Sequence, residues 1–335
     1  MTLRVGINGF GRTGRQAFRA WYQRRRDDFE IVAINGRTPV EMHTHLLRHD
    51  SDYGRFPAEI VNVDGGFTVD GHGVTVFQQD DPERIDWSSL EIDLVIESTG
   101  AFRDRDGASK HLGGSVGKVL ISAPAKGEDW TVIMGVNDGE YDPAAHNIIS
   151  AGSCTTNCVV PVVKVLNDAF GVERGFMTTI HAYTRDQNLV DSKHKDLRRA
   201  RAAALNIIPT SSGAAAAVGN MIPELKGKFD GLAYRVPTPV VSVVDLVTDL
   251  ARPVTEQAIN DAFLAAAEGP MQGYLHYERD QLVSSDFKEH PASAIFDAPS
   301  TTVIDGGMAK TMSWYDNEWG YSCRLTDVVA LVAGT

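Results

Sequence analysis

Chemistry in this sequence concentrates on one thiol. Cys154 stands in Ser150-Ala151-Gly152-Ser153-Cys154-Thr155-Thr156-Asn157-Cys158, after a strand-like run and before a helical pattern over Val159–Phe170. A cysteine there meets the unpaired amides and positive dipole end of a helix N-terminus, which favour thiolate, so the position predicts a nucleophile with a lowered pKa. A buried structural thiol and a metal pair with Cys158 are the competing readings. A metal would need further soft ligands, and Cys323 is the one remaining thiol, so no metal site is predicted and Cys158 is expected to pack as a small apolar residue. A thiol nucleophile also needs a base. His181, in Thr178-Thr179-Ile180-His181-Ala182-Tyr183-Thr184, ends a strand in the same half of the chain, and imidazole exchanges protons near neutrality. Taken alone, that histidine reads more readily as a satisfied core residue than as a base. His43, His45 and His49 lack supporting carboxylates and read as surface histidines. Arg24-Arg25-Arg26, beside Asp27 and Asp28, reads as a solvated helix end.

A second feature points to a dinucleotide. Gly9-Phe10-Gly11-Arg12-Thr13-Gly14 follows the first strand and opens a helical stretch from Arg12 to Arg24. Glycines at this spacing permit a tight turn and let backbone N–H groups approach a pyrophosphate at the helix N-terminus. An NAD site usually ends the second strand with an acid that accepts from the adenosine ribose hydroxyls. Here the strand runs Val32-Ala33-Ile34-Asn35-Gly36-Arg37-Thr38, with Gly36 in the acid's place and Arg37 after it. Losing a carboxylate relieves repulsion of a 2′-phosphate and a guanidinium can bind one, so the sequence leans toward NADP.

These residues need elements to hold them. Short β-branched runs at Leu3–Ile7, Glu30–Ile34, Leu94–Glu97, Val119–Ile121 and Thr131–Met134 alternate with helix-compatible stretches, predicting a parallel sheet covered on both faces. After Cys154 the β-rich runs Phe176–Tyr183, Leu232–Val236 and Val240–Leu250 predict antiparallel sheet plus helices. Thr326–Val332 is apolar at helical spacing and is expected to pack onto the first half. The fold class is therefore α/β: a Rossmann dinucleotide-binding domain over 1–153, joined by the C-terminal helix 318–335, and an α+β catalytic domain over 154–317 with mainly antiparallel sheet. The 335 residues match about two domains. With 32 Lys and Arg against 44 Asp and Glu, the net charge of −12 repels phosphate backbones and anionic lipid, so neither nucleic acid nor membrane is expected as a partner. Three cysteines make no disulfide framework, and neither a signal core nor a long apolar run stands out, which predicts a cytoplasmic protein.

At Asn8-Gly9-Phe10-Gly11-Arg12, Ser153-Cys154-Thr155-Thr156-Asn157-Cys158 and Trp314-Tyr315-Asp316-Asn317-Glu318-Trp319-Gly320-Tyr321, the chain resembles the phosphorylating glyceraldehyde-3-phosphate dehydrogenases. Glu97-Ser98-Thr99-Gly100, Ser122-Ala123-Pro124-Ala125-Lys126, His194 to Arg201 and Arg235-Val236-Pro237-Thr238-Pro239 extend the likeness along the whole chain. The resemblance implies that Cys154 attacks the aldehyde of glyceraldehyde 3-phosphate to give a thiohemiacetal. Hydride then leaves to the nicotinamide, and inorganic phosphate cleaves the resulting thioester to 1,3-bisphosphoglycerate, with His181 as acid and base. The Cys154 N–H and the His181 imidazole would donate to the developing oxyanion. The resemblance also implies that Thr184, Asp186 and Arg235 surround the substrate's phosphate, and Ser153, Thr155, Ser212 and Gly213 the attacking one. Gly9, Gly11, Arg12 and Thr13 would face the pyrophosphate, Ser98, Thr99 and Gly100 the adenosine end, with Ser122 also at the cofactor, Asn317 at the carboxamide and Tyr321 nearby. A homotetramer is implied as well.

Departures from the family pattern bear on the cofactor. NAD-specific members carry Asn-Asp where this chain has Asn35-Gly36, and Leu-Pro where it has Ser192-Lys193 after Asp191. The second segment reaches the adenosine ribose of a neighbouring subunit in the family, so Gly36, Arg37, Ser192 and Lys193 together favour NADP, while no residue stands out as rejecting NAD. Ala151-Gly152 replaces Asn-Ala, and Ala216 replaces a common Lys for which only a surface effect is expected. Erythrose-4-phosphate dehydrogenase shares the thiol and histidine, but Thr210-Ser211-Ser212-Gly213 and Tyr183-Thr184-Arg185-Asp186 match the phosphorylating group. A semialdehyde dehydrogenase is disfavoured by Arg235, and a non-catalytic NADP-binding sensor by the joint retention of Cys154, His181 and Arg235.

Overall fold

The computed structural model describes residues 2–335, Met1 lying outside them. The chain forms two compact units, one of residues 2–132, 138–152 and 322–335, the other of 133–137 and 153–321.

The first unit opens with β1 (Leu3–Asn8), α1 (Arg12–Gln23), β2 (Phe29–Asn35) and α2 (Val40–Arg48), then β3 (His72–Phe77), β4 (Leu94–Glu97), β5 (Lys118–Ile121) and β6 (Ile148–Ser150). Strands β6, β5, β4, β1, β2 and β3 lie side by side in that order and all parallel, with Trp130–Thr131 beyond β6 and an antiparallel pair, Gly66–Val69 and Ile60–Val63, beyond β3. The chain runs outward from β1 in one direction through β2 and returns to its other side at β4. Ligands of open α/β sheets bind at such a switch point, and the glycine turn after β1 sits on it. The expected strand over Thr131–Met134 stops at Thr131, because Asn137 Oδ1 takes the Ile133 N–H at 2.8 Å and starts a turn. That turn belongs to the second unit.

In the second unit α3 (Cys154–Phe170) packs its apolar side on an eight-stranded sheet, with Val159, Val163 and Leu166 in one core with Val244, Leu246 and Phe296. The strands that matter for function are β7 (Val172–Ala182), β8 (Phe229–Val236), β9 (Ser242–Leu250) and β10 (Met308–Tyr315), with a short helix α4 (Ala214–Met221) between β7 and β8. Most pairs are antiparallel, but β7 and β8 run parallel and place His181 opposite Arg235. The last helix, α5 (Trp319–Ala333), belongs from Ser322 onward to the first unit. There Arg24 bonds the Cys323 carbonyl at 3.0 Å, the Thr326 hydroxyl at 2.9 Å and Asp327 at 2.9 Å, while Arg26 reaches Asp327 at 3.4 Å. Arg24 and Arg26 are therefore a clamp on the C-terminal helix, not the solvated helix end read from their neighbouring acids. No helix among the described residues is long and apolar enough to cross a membrane.

Candidate active site

The helical pattern read from Val159 begins earlier, at Cys154. Ser153 caps α3, its Oγ accepting the Thr156 N–H at 3.0 Å, so the thiol occupies the first helical position. Gly152 precedes it with φ +62°, a conformation glycine adopts without strain, which accounts for the departure Ala151-Gly152.

Cys154 Sγ lies 3.5 Å from His181 Nε2. The other ring nitrogen, Nδ1, donates to the Ala182 carbonyl at 2.7 Å, and Arg235 Nη1 donates to the same oxygen at 2.9 Å. Arg235 Nη1 also lies 2.8 Å from Nδ1; with the Nδ1 proton donated to the Ala182 carbonyl, the ring turns the Nε2 lone pair toward the thiol. Burial and the Arg235 charge push His181 down to about 3, so it is neutral across the physiological range. The thiol departs from expectation. Arg235 and the amides of Cys154 and Thr155 favour thiolate, but burial outweighs them and raises the Cys154 pKa. At rest the pair is thiol and neutral imidazole, and the proton must move as sulfur attacks. Cys158 is fully buried, 3.7 Å from the Ser313 carbonyl, and packs as a small apolar group.

Several groups around the pair were not singled out by sequence reasoning. Tyr315, in a quoted segment but given no role, is buried with its hydroxyl 3.0 Å from Thr155 and 2.9 Å from Thr179, bracing the first turn of α3 against β7. Ser242 accepts the Ala182 N–H at 3.1 Å and donates to Asn317 Oδ1 at 3.1 Å, which leaves the Asn317 amide N–H groups to donate elsewhere. Asp186 is ion-paired to Arg199 and lies 3.5 Å from His194. Its charge is thereby matched, and the positive field of Arg199 reaches both His181 and Arg235. A second guanidinium thus stands at the site where one was expected. Thr184 takes Gln187 Oε1 on its N–H at 3.2 Å. Ser212 accepts the Ala214 N–H at 3.3 Å beside Gly213, which caps α4. Tyr321 is buried, and burial raises its pKa well above the ordinary value. Ser192 and Lys193 lie exposed on an irregular segment.

In the first unit the turn after β1 is closely packed. Gly9 has φ +96°, and a Cβ there would meet the Thr99 nitrogen at 2.6 Å; one on Gly14 would meet the Gly9 carbonyl at 2.3 Å. Side chains expected to face a pyrophosphate or adenosine are partly committed elsewhere. Arg12 pairs with Asp50 and, at 2.9 Å, with Asp52; Ser98 donates to the Gly9 carbonyl at 2.6 Å; and the Thr99 N–H bonds Glu97 at 2.8 Å. The N-terminal end of α1, behind the glycine turn, and the open space beside Gly100 are what this unit presents to an anion. A glycine-lined helix N-terminus at the sheet's switch point is a donor set that fits a dinucleotide pyrophosphate. Ser122 donates its N–H to the Glu97 carbonyl at 3.0 Å. Arg37 pairs with Asp80 at 2.6 Å, both 79% exposed, and such a surface pair exchanges partners at little cost. His43, expected at the surface, is buried; His45 and His49 are exposed. Among the described residues no group of three or more His, Cys, Asp or Glu is arranged to hold a metal.

Comparison with known proteins agrees with this layout. A family model described as glyceraldehyde 3-phosphate dehydrogenase, NAD binding domain, matches residues 3–105, and one described as glyceraldehyde 3-phosphate dehydrogenase, C-terminal domain, matches 153–317. The chain is 53% identical over 332 residues to glyceraldehyde-3-phosphate dehydrogenase 2 of Streptomyces avermitilis, covering 99% of each. It is 52% identical over 333 residues to glyceraldehyde-3-phosphate dehydrogenase of Geobacillus stearothermophilus, again 99% of each. Identity to glyceraldehyde-3-phosphate dehydrogenase 2 of Nostoc sp. is 50% over 332 residues, 99% of this chain and 98% of that one.

Proposed function

The chain belongs to the glyceraldehyde-3-phosphate dehydrogenase family, and from that membership we propose that it oxidises glyceraldehyde 3-phosphate to 1,3-bisphosphoglycerate, with NADP as the preferred acceptor. The observation that carries the chemistry is the 3.5 Å approach of Cys154 Sγ to the Nε2 of a neutral His181 whose Nδ1 lies 2.7 Å from the Ala182 carbonyl. His181 Nε2 takes the thiol proton as Sγ bonds the aldehyde carbon, and returns it to the alkoxide of the thiohemiacetal. On collapse His181 removes the hydroxyl proton and the carbonyl re-forms as a thioester. When bound, the nicotinamide supplies the acceptor for the hydride. Phosphate oxygen then attacks the acyl carbon, and Sγ leaves and recovers a proton through His181. Arg235, with Thr184 and the paired Asp186 and Arg199, serves one phosphate group; Ser153, Thr155, Ser212 and Gly213 serve the other.

NADP preference rests on Gly36 and Arg37 at the end of β2 and on Ser192 and Lys193 from a neighbouring subunit. Steady-state kinetics with both cofactors, in glyceraldehyde 3-phosphate and phosphate, is expected to give the lower KM for NADP. Equal or reversed values defeat that preference and leave the reaction standing. Omitting phosphate is expected to stall turnover, which sets the reaction apart from a hydrolysing erythrose-4-phosphate dehydrogenase. We further infer a homotetramer, since the Lys193 contribution needs a second chain; light scattering is expected to return four times the chain mass, and a monomer would remove Lys193 from the cofactor site.

A further inference from the structure

His43 is the histidine of its cluster that the fold buries, and it lies against the residue on which cofactor choice turns. A Cβ built on Gly36 would stand 2.5 Å from His43 Cε1 and 2.6 Å from Nε2, closer than real Cβ atoms approach anything. Glycine is not required there by conformation, because Gly36 does not take a positive φ. The ring is what requires it.

Neither side of this contact gives way easily. The imidazole sits edge-on to buried Phe10 with ring centres 5.7 Å apart, and its Nε2 is 3.1 Å from the Thr38 hydroxyl. His43 is 5% exposed, and burial lowers its pKa, which favours the neutral ring. On the other side, the Gly36 N–H bonds the Phe77 carbonyl at 3.0 Å. Asn35, just before it, donates to Asn8 at 2.7 Å and to the Gln79 carbonyl at 2.9 Å. The backbone is thus pinned to β1 and to the chain after β3, while α2 holds the imidazole over it.

We propose that His43 is a specificity-determining residue that acts with Gly36: its imidazole occupies the room an acidic side chain at position 36 needs, and so keeps a carboxylate away from the ribose 2′ position. Residues 36 and 43 are then one choice, glycine with histidine or an acid with a smaller partner. This rests on the reading above that the adenosine ribose lies at the end of β2. It also changes what a single substitution does. Gly36→Asp alone cannot create an NAD-type site, because the new side chain has no room until residue 43 is reduced.

The test is a double-mutant cycle in the full-length protein with Gly36→Asp, His43→Ala and the pair together. Thermal unfolding is followed, and calorimetric titration uses 2′,5′-ADP and 5′-AMP as probes of the ribose 2′ position. The expected result is that Gly36→Asp lowers the melting temperature and weakens both probes, whereas adding His43→Ala restores the melting temperature. The double variant is expected to move the ratio of the two dissociation constants toward 5′-AMP by about tenfold relative to the parent, far beyond the product of the single effects. Additive effects, with Gly36→Asp alone shifting the ratio as far as the pair, overturn the proposal for His43 while leaving the NADP reading intact. A parent protein that binds both probes equally overturns the NADP reading instead, and the melting temperatures and 5′-AMP titrations still decide the coupling.

Discussion

Cys154→Ser is expected to lower phosphate-dependent turnover by about 10,000-fold or more, because the reaction has no other atom to carry the acyl group. The hydroxyl has nearly the shape of the thiol, so Ser153 still caps α3 and the fold is kept. What is lost is a polarizable nucleophile that can attack with its proton passing to His181 and later leave as thiolate. Iodoacetamide, which blocks the sulfur directly, is expected to abolish activity in proportion to the Cys154 adduct measured by mass spectrometry, with Cys158 and Cys323 spared by burial. Turnover of the serine variant within about tenfold of the parent would remove Cys154 from the reaction.

The second large effect belongs to His181. Replacing it by Asn is expected to cost about 100-fold to 10,000-fold in kcat, the range for loss of a positioned general base. The physical reason is the resting protonation state. Burial keeps the proton on sulfur and the neighbouring imidazole neutral, so the protein stores no thiolate ion pair that would survive loss of the base. The variant is therefore expected to alkylate more slowly at neutral pH, where no imidazole takes the thiol proton, and at nearly the parent rate at high pH, where the sulfur is already ionised. An unchanged alkylation profile would show that His181 does not handle the thiol proton. A helix N-terminus alone suggested an acidic thiol here. The desolvation that outweighs the dipole depends on how deep the first turn of α3 lies, and that depth is set by strands from elsewhere in the chain.

The same division runs through the molecule. Local information placed β1, the glycine turn and α1 closely, since strand, φ-positive Gly9 and helix start follow one another within a few residues. It placed Cys154 at a helix start and Gly36 where an acid is usual. Pairings between distant segments were out of reach. The parallel alignment of β7 with β8 that sets Arg235 beside His181, the Tyr315 hydroxyl between Thr155 and Thr179, and the ion pair of Asp186 with Arg199 each depend on tertiary contact. His43 illustrates the limit best. With no carboxylate to support it, it reads as a surface histidine, yet α2 turns this one ring inward onto Gly36 while leaving His45 and His49 outside.

The clamp of Arg24 and Arg26 on Asp327 bears on biosynthesis. The unit that carries the glycine turn takes its closing piece from residues 322–335, about three hundred positions after α1. During translation the emerging chain must therefore hold an incomplete nucleotide-binding unit, with the apolar surface meant for that helix still uncovered, throughout synthesis of the thiol-bearing unit. The ribosome delivers that segment after residues 153–321, so this unit is finished only once the thiol-bearing unit has been made.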